Sequence, residues 1–265
     1  VKFTILGGRG FIGATMVKYL TEAGHDVHVP KRDLSDIDKK SAGHIMYAIG
    51  LTGDFRTRPY DTVDAHVTLL AALLREVQFE SWLYLSSTRL YGAGVRASAV
   101  TEESDICLRP CADSLYDLSK LTGEALCLAH PRDSVRVARL SNVVGVGQSE
   151  ATFLGAVLKE LSDSNDTVVL ESADSSKDYI DVDEVTRALT SIATSGRHRL
   201  YNVASGVQTT HAEIGNIIHR HCGKSLSFAP GGAARTFPEI SIERLKREFP
   251  EFRPRPIRAV IEDML

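Results

Sequence analysis

Residues 2–13 read Lys2-Phe3-Thr4-Ile5-Leu6-Gly7-Gly8-Arg9-Gly10-Phe11-Ile12-Gly13, and this stretch decides the fold. The apolar run Phe3 to Leu6 predicts a buried strand. From Phe11 to Ala23 the apolar positions Ile12, Met16, Val17 and Leu20 recur at helical spacing. Between them Gly7 permits a tight turn, Gly10 lets the backbone approach a pyrophosphate, and Gly13 lets the helix pack on the strand. Unpaired N–H groups at the helix start, with the helix dipole, favour an anion there. Gly24 then stops the helix before a second strand at Asp26 to Val29. The segment predicts a dinucleotide site, with Gly7, Gly10, Phe11, Ile12 and Gly13 against the phosphates.

The residues after the second strand are Pro30-Lys31-Arg32-Asp33, where a nucleotide-binding sheet meets the adenosine ribose. An acid in this place takes the 2′-hydroxyl of NAD, and basic side chains favour the 2′-phosphate of NADP. Lys31 and Arg32 therefore point to NADP. The alternative is that both are solvated loop charges and Asp33 takes the ribose of NAD.

Further on, His44 to Ile49 predicts a buried strand and Asp61 to Val77 a long helix. Ser81 to Ser86 predicts a strand whose carboxyl end delivers Ser87-Thr88-Arg89-Leu90-Tyr91-Gly92, and ligands of open α/β sheets bind at that end. Gly94 to Pro110 shows no periodicity and reads as a loop suited to a lid. A helix from about Ser114 carries Tyr116 and Lys120 on one face. A phenol with an ordinary pKa near 10 is a poor base at neutral pH, and a fixed ammonium close by favours its phenolate. After the strand Val135 to Leu140 the alternation loosens. Helices are expected at Thr152 to Leu161, Asp183 to Ala193, His211 to His221 and Ser241 to Phe249, with strands at Val168 to Leu170, Lys177 to Val182 and Leu200 to Val203.

A chain of 265 residues with 43% apolar and 25% charged residues can bury a sizeable core. Its net charge of −3 gives no basic surface for nucleic acid. No apolar run approaches the roughly 18 residues of a membrane span, and no secretion signal is visible. Cys107, Cys111, Cys127 and Cys222 form no C-x-x-C pair, which argues for free thiols in a cytoplasmic setting and against a metal site.

The G-x-x-G-x-x-G spacing of Gly7, Gly10 and Gly13 resembles the short-chain dehydrogenase/reductase superfamily. So do Ser86-Ser87 with Tyr91-Gly92, the Tyr116/Lys120 pair, Arg139 to Gly145, Lys177 to Asp183 and Tyr201 to Gly206. Together they resemble its extended branch, the sugar-nucleotide epimerases and dehydratases, over nearly the whole chain. The resemblance implies an α/β, Rossmann-type doubly wound parallel sheet over residues 1–145, with later segments contributing, and a smaller α/β substrate lobe over 146–265. It implies Ser87, Tyr116 and Lys120 as catalytic residues. Ile49, Gly50, Tyr116 and Lys120 join the cofactor contacts, and Ser87, Thr88, Arg89, Asn142 and Tyr179 the substrate contacts. Lys31 stands where NAD-binding members carry Asp, which favours NADP over NAD. A homodimer is implied through the helices near Asp61 and Ser114, with Leu69, Leu73, Leu121 and Leu128 beyond one core-facing stripe.

Departures from the family's pattern narrow the chemistry. Only about ten residues separate Asp33 from the next strand, where relatives place a helix and a strand, so the sheet edge is trimmed or residues are absent. Thr88 and Arg89 replace the Asp and Glu with which relatives dehydrate sugars, and a cation cannot serve as that acid/base pair. An epimerase or a reductase of nucleotide sugars is expected. The alternatives are a short-chain reductase of a non-nucleotide substrate and a non-catalytic NADP sensor.

Overall fold

The computed structural model describes residues 1–51, 55–93, 99–163 and 167–265. Strand and helix alternate first as β1 (Lys2–Leu6), α1 (Phe11–Glu22), β2 (Asp26–His28), β3 (His44–Tyr47) and α2 (Pro59–Val63). A π-turn (Asp64–Thr68) leads into α3 (Leu69–Glu76), followed by β4 (Ser81–Ser87), α4 (Leu115–Ala129) and β5 (Val135–Leu140). Then come β6 (Asn142–Val144), α5 (Phe153–Ser162), β7 (Thr167–Leu170), β8 (Ser176–Asp181), α6 (Val182–Ser195) and β9 (Leu200–Val203). The chain finishes with β10 (Gln208–Thr210), α7 (His211–Cys222), β11 (Ser225–Phe228), α8 (Glu243–Glu248) and α9 (Ile257–Met264).

Six strands form one sheet in the order β2-β1-β3-β4-β5-β9, every pairing parallel. A parallel sheet is covered on both faces, so its strands read as continuous apolar runs. Phe3, Ile5, Met46, Leu83 and Leu85 pack beneath Met16 and Leu20 of α1 and Val185, Leu189 and Ile192 of α6. Leu6, Ile45, Tyr47, Trp82 and Tyr84 pack beneath Leu70, Leu73 and Leu74 of α3 and Cys127 of α4. The strand order reverses between β1 and β3, and a crevice opens at the carboxyl ends of the strands flanking such a reversal. Among the described residues no helix is long and apolar enough to cross a membrane.

Residues 29–43 cross from β2 to β3 without helix or strand. Thr4 Oγ1 donates to the Ala42 carbonyl at 2.7 Å, Ala42 N to Gln78 O at 3.0 Å and Gln78 N to Lys39 O at 2.8 Å. With Ile37 buried among Leu6 and Ile45, the short connection caps the sheet directly, and β2 is its outer edge.

The later segments add two small sheets, β10-β8-β6 and β11-β7, over a core of Val144, Leu154, Leu161, Tyr179, Ile214 and Ile261. β10 and β11 escape a pattern-based reading because they are three and four residues long and lack a clean alternation. The helix expected from Ser241 shortens to Glu243–Glu248, and Ile257–Met264 makes a further helix at the end of the chain. Of the expected lid, residues 94–98 lie outside the described residues. The remainder is anchored: Val100 bridges Ile240, and the buried Glu102 carboxylate accepts from Asn202 N at 2.9 Å.

Candidate active site

At the carboxyl ends of the central strands lies a cavity of about 460 Å³. Its phosphate end is built by the glycines. Gly7 has φ +85°, and a Cβ on it would lie 2.8 Å from the Ala48 carbonyl atoms. A Cβ on Gly13 would lie 2.2 Å from the Gly7 oxygen, so only glycine lets α1 start this close to β1. Gly10 is the N-cap of α1 and supplies no side-chain cap, which leaves the first-turn N–H groups free where Gly10 to Gly13 line the cavity. These features fit a dinucleotide pyrophosphate. Gly7 makes the turn without lining the cavity. Lys31 and Arg32 are exposed and also outside the lining. Asp33 accepts from Ser35 N and Ser35 Oγ at 3.1 and 2.8 Å, which holds its carboxyl below the usual range.

The chemistry-bearing side chains converge in the middle. Ser87 ends β4 and accepts from Arg89 N at 3.2 Å, and it lines the same cavity as Tyr116 of α4. Burial pushes the Tyr116 hydroxyl up to about 12, against the pull of the neighbouring Ser87 hydroxyl and the Arg89 charge. Lys120 lies one turn on, 5% exposed, and its ammonium donates to the Leu85 carbonyl at 2.8 Å. Desolvation brings it down to about 7. Arg89 also acts on Tyr116: its guanidinium lies 5.5 Å from the ring centroid and is ion-paired to Asp117 at 2.9 Å. On the far side stand Phe55 and His66, with ring centroids 5.7 and 5.4 Å from that of Tyr116.

Ile49, Gly50, Thr88, Arg89, Asn142 and Tyr179 all line the same cavity. Asn142 Nδ2 donates to the Asp178 carbonyl at 2.8 Å, and the buried Tyr179 hydroxyl has no partner among the described residues. Sequence reasoning missed Phe153, Gln208, Arg235 and Phe237, which also line it. Lys177, noted before only as part of a strand motif, lines it too and loses proton affinity through desolvation and the neighbouring Arg235 and Arg89 charges. Three of these come from segments after residue 200, and no local pattern announces that they return to β4. His66 was also missed, because a single histidine inside an apolar helix carries no distinguishing spacing.

Comparison with known proteins bears on this site. A dTDP-glucose 4,6-dehydratase of Streptomyces griseus is 28% identical over 160 residues, 59% of this chain and 47% of that enzyme, so the match spans about half of the relative's length. A dTDP-4-dehydro-6-deoxy-D-allose reductase of a Streptomyces species is 22% identical and pairs 98% of this chain with 93% of its own. That alignment runs over 307 residues, more than the 265 here, so stretches of the relative have no counterpart in this chain. The structure of RMD from Pseudomonas aeruginosa complexed with NADPH superposes with a TM-score of 0.79 at 21% identity, covering 99% of this chain and 97% of that one, and shares its fold. The model of the NAD dependent epimerase/dehydratase family matches residues 3–204, and the chain belongs to that family.

Proposed function

We propose that this protein is an NAD(P)-dependent oxidoreductase of nucleotide sugars, an epimerase or a reductase, with Tyr116 as general acid/base. The observation that carries the reading is the convergence of Ser87, Tyr116 and the buried Lys120 in one cavity with the free N-terminus of α1. The bound nicotinamide supplies hydride exchange with a sugar carbon. Tyr116 Oη moves the proton of the sugar oxygen, Ser87 Oγ orients that oxygen, and Lys120 serves the ribose hydroxyls. In this reading residues 1–145 hold the cofactor and 146–265 the sugar nucleotide. Lys177 and Arg235 make no salt bridge among the described residues, which supports an anionic diphosphate between them, and Thr88, Arg89, Asn142 and Tyr179 surround the sugar.

Reduction is favoured over epimerisation. The Lys31 and Arg32 side chains make no salt bridge among the described residues, and Asp33 is occupied by Ser35, which supports the 2′-phosphate of NADP over NAD. The Arg89–Asp117 pair argues against 4,6-dehydration, because a guanidinium fixed on a carboxylate has no proton to exchange at neutral pH. The four free thiols support a cytoplasmic setting. Tyr60, 85% exposed, and Leu128, 37% exposed, support a homodimer through α2 and α4, whereas Leu73 is 5% exposed and belongs to this chain's own core.

The test is a panel of nucleotide sugars and their 4-keto derivatives, following cofactor absorbance and product stereochemistry together. Net oxidation of NADPH identifies a reductase, and epimer formation without net cofactor change an epimerase. Tight cofactor binding with no turnover on the panel overturns the enzyme reading. A tenfold preference for NAD, about 1.4 kcal/mol, overturns the cofactor assignment. Light scattering that finds only monomer at micromolar concentration overturns the dimer.

A further inference from the structure

His66 is the buried titratable group that this chemistry leaves unused. It is 0% exposed and sits in the π-turn between α2 and α3, where the widened turn displaces its carbonyls from the regular ladder. Two sheet tyrosines meet those carbonyls: Tyr47 Oη donates to Ala65 O at 2.5 Å, and Tyr84 Oη reaches His66 O at 3.4 Å. The ring is thereby aimed between two parts of the site. Its Nδ1 lies 2.8 Å from Ser119 Oγ, and Ser119 Oγ donates to the carbonyl of Tyr116 itself at 2.9 Å. Its Nε2 lies 3.3 Å from Leu51 N, next to cavity-lining Gly50. A Cβ on Gly50 would lie 3.0 Å from His66 Nε2 and 3.3 Å from Lys120 Nζ, so glycine is what allows the three to meet.

Hydrogen-bond chemistry fixes the tautomer. The Tyr116 carbonyl can only accept, so the Ser119 proton is spent on it and Ser119 Oγ must accept from Nδ1–H. The Leu51 amide can only donate, so Nε2 carries the lone pair. We propose that His66, as the Nδ1–H tautomer, is a positioning residue that ties the Gly50–Leu51 wall of the cofactor cavity to the Tyr116–Lys120 helix and sets the distance between them. The inference rests on reading the cavity as a dinucleotide site. Among the described residues the titratable groups around the ring are Lys120, Tyr116, Tyr84 and Tyr47, with no carboxylate, and burial with the Lys120 charge holds the imidazole far below its ordinary pKa. A charged ring would lose the Leu51 bond and repel Lys120.

Two conservative variants separate the two bonds. In His66→Asn the amide nitrogen reaches where Nδ1 stood and keeps Ser119 while losing Leu51. In His66→Gln the amide oxygen reaches where Nε2 stood and keeps Leu51 while losing Ser119. We expect His66→Asn to weaken cofactor binding about fivefold or more with kcat within about twofold. His66→Gln should leave the cofactor Kd within about twofold and lower kcat about tenfold or more, since small displacements of a reacting group are costly. Equal losses in both variants, or none in either, overturn the proposal. Nitrogen-15 NMR of the intact wild-type protein decides it independently of any substrate. An Nδ1–H ring that does not titrate between pH 5 and 8 supports the bridge, and an Nε2–H ring, or one titrating near 6.5, overturns it. Absence of turnover on every sugar tested counts against the enzyme reading alone, because the Kd and NMR results stand without it.

Discussion

Lys120 Nζ is bonded to the Leu85 carbonyl oxygen at 2.8 Å, and no carboxylate forms a salt bridge with it among the described residues. This ammonium is held inside the protein against its own hydration, which brings it from 10.5 to about 7. Below pH 7 the folded and unfolded chains both carry the charge, and folding bears the full cost of burying it. Between pH 7 and 10.5 the unfolded chain holds more protons than the folded one, so the stability change due to this group rises with pH.

Lys120→Met should therefore stabilise the protein while disabling it. At pH 6 we expect Tm to rise by roughly 2–4 °C, the shift of about 1 kcal/mol in a chain of this size, and the gain to shrink toward pH 10. Cofactor affinity and turnover should both fall. Thermal unfolding at the two pH values checks this, and a lower Tm at pH 6, or the same gain at both, would show that the buried charge is not a cost.

Tyr116→Phe removes the titrating hydroxyl and little else. Cofactor Kd should stay within about twofold while kcat falls about a hundredfold or more. Ser87→Ala should lose less, because the buried Ser86 hydroxyl beside it has no hydrogen-bond partner among the described residues and can turn to the same oxygen. Steady-state kinetics on the substrate found by the panel decides, and a fully active Tyr116→Phe would remove Tyr116 from its role.

Gly13→Ala places a methyl group 2.2 Å from the Gly7 carbonyl oxygen, a backbone atom that cannot step aside without moving the phosphate turn. Cofactor binding should weaken about tenfold or more by fluorescence titration. Gly147→Ala is the control for the loss of a glycine. Nothing lies within 4 Å of its would-be Cβ, so the substitution brings only the local strain of its φ of +85° and no clash.

Glu124 and Arg139 form a buried pair, 1% and 4% exposed, with Nη2–Oε2 at 2.7 Å and Nε–Oε1 at 3.0 Å. The network continues through Tyr91 Oη, which accepts from Arg139 Nη1 at 2.9 Å and donates to Asn202 Oδ1 at 2.8 Å. Glu124→Gln leaves the guanidinium buried without its counter-charge and should cost about 3–5 kcal/mol in urea unfolding. Glu262→Gln, which breaks the exposed Arg258–Glu262 pair, should cost less than about 0.5 kcal/mol. Equal effects would mean that burial does not set the worth of these pairs.

Much of the architecture was legible along the chain. The apolar runs at Phe3–Leu6, His44–Tyr47, Ser81–Ser87 and Val135–Leu140 are strands buried on both faces, and Leu200–Val203, far downstream, completes their sheet. The helix through Asp61 to Val77 was legible as a helix, whereas its π-turn was not, because the turn depends on Tyr47 and Tyr84 meeting carbonyls from the sheet side. Most of the residues expected at the cavity, from Gly10 to Tyr179, do line it, whereas Gly7, Lys31 and Arg32 do not.

Periodicity and glycine spacing are local, and what they encode is which residues form strands, turns and helix faces, and so the sheet, the phosphate turn and the Ser87, Tyr116 and Lys120 set. Which charges act on that set is a matter of distance through space. Arg89 pairs with Asp117, 28 residues on, and thereby becomes the cation over Tyr116. Lys120 turns to Leu85, 35 residues back, and His66 reaches Ser119, 53 residues on. Phe153, Arg235 and Phe237 arrive from different segments at one cavity wall. Burial and Coulomb interactions respond to those separations alone, so the protonation states of the site were decided only when the chain closed on itself.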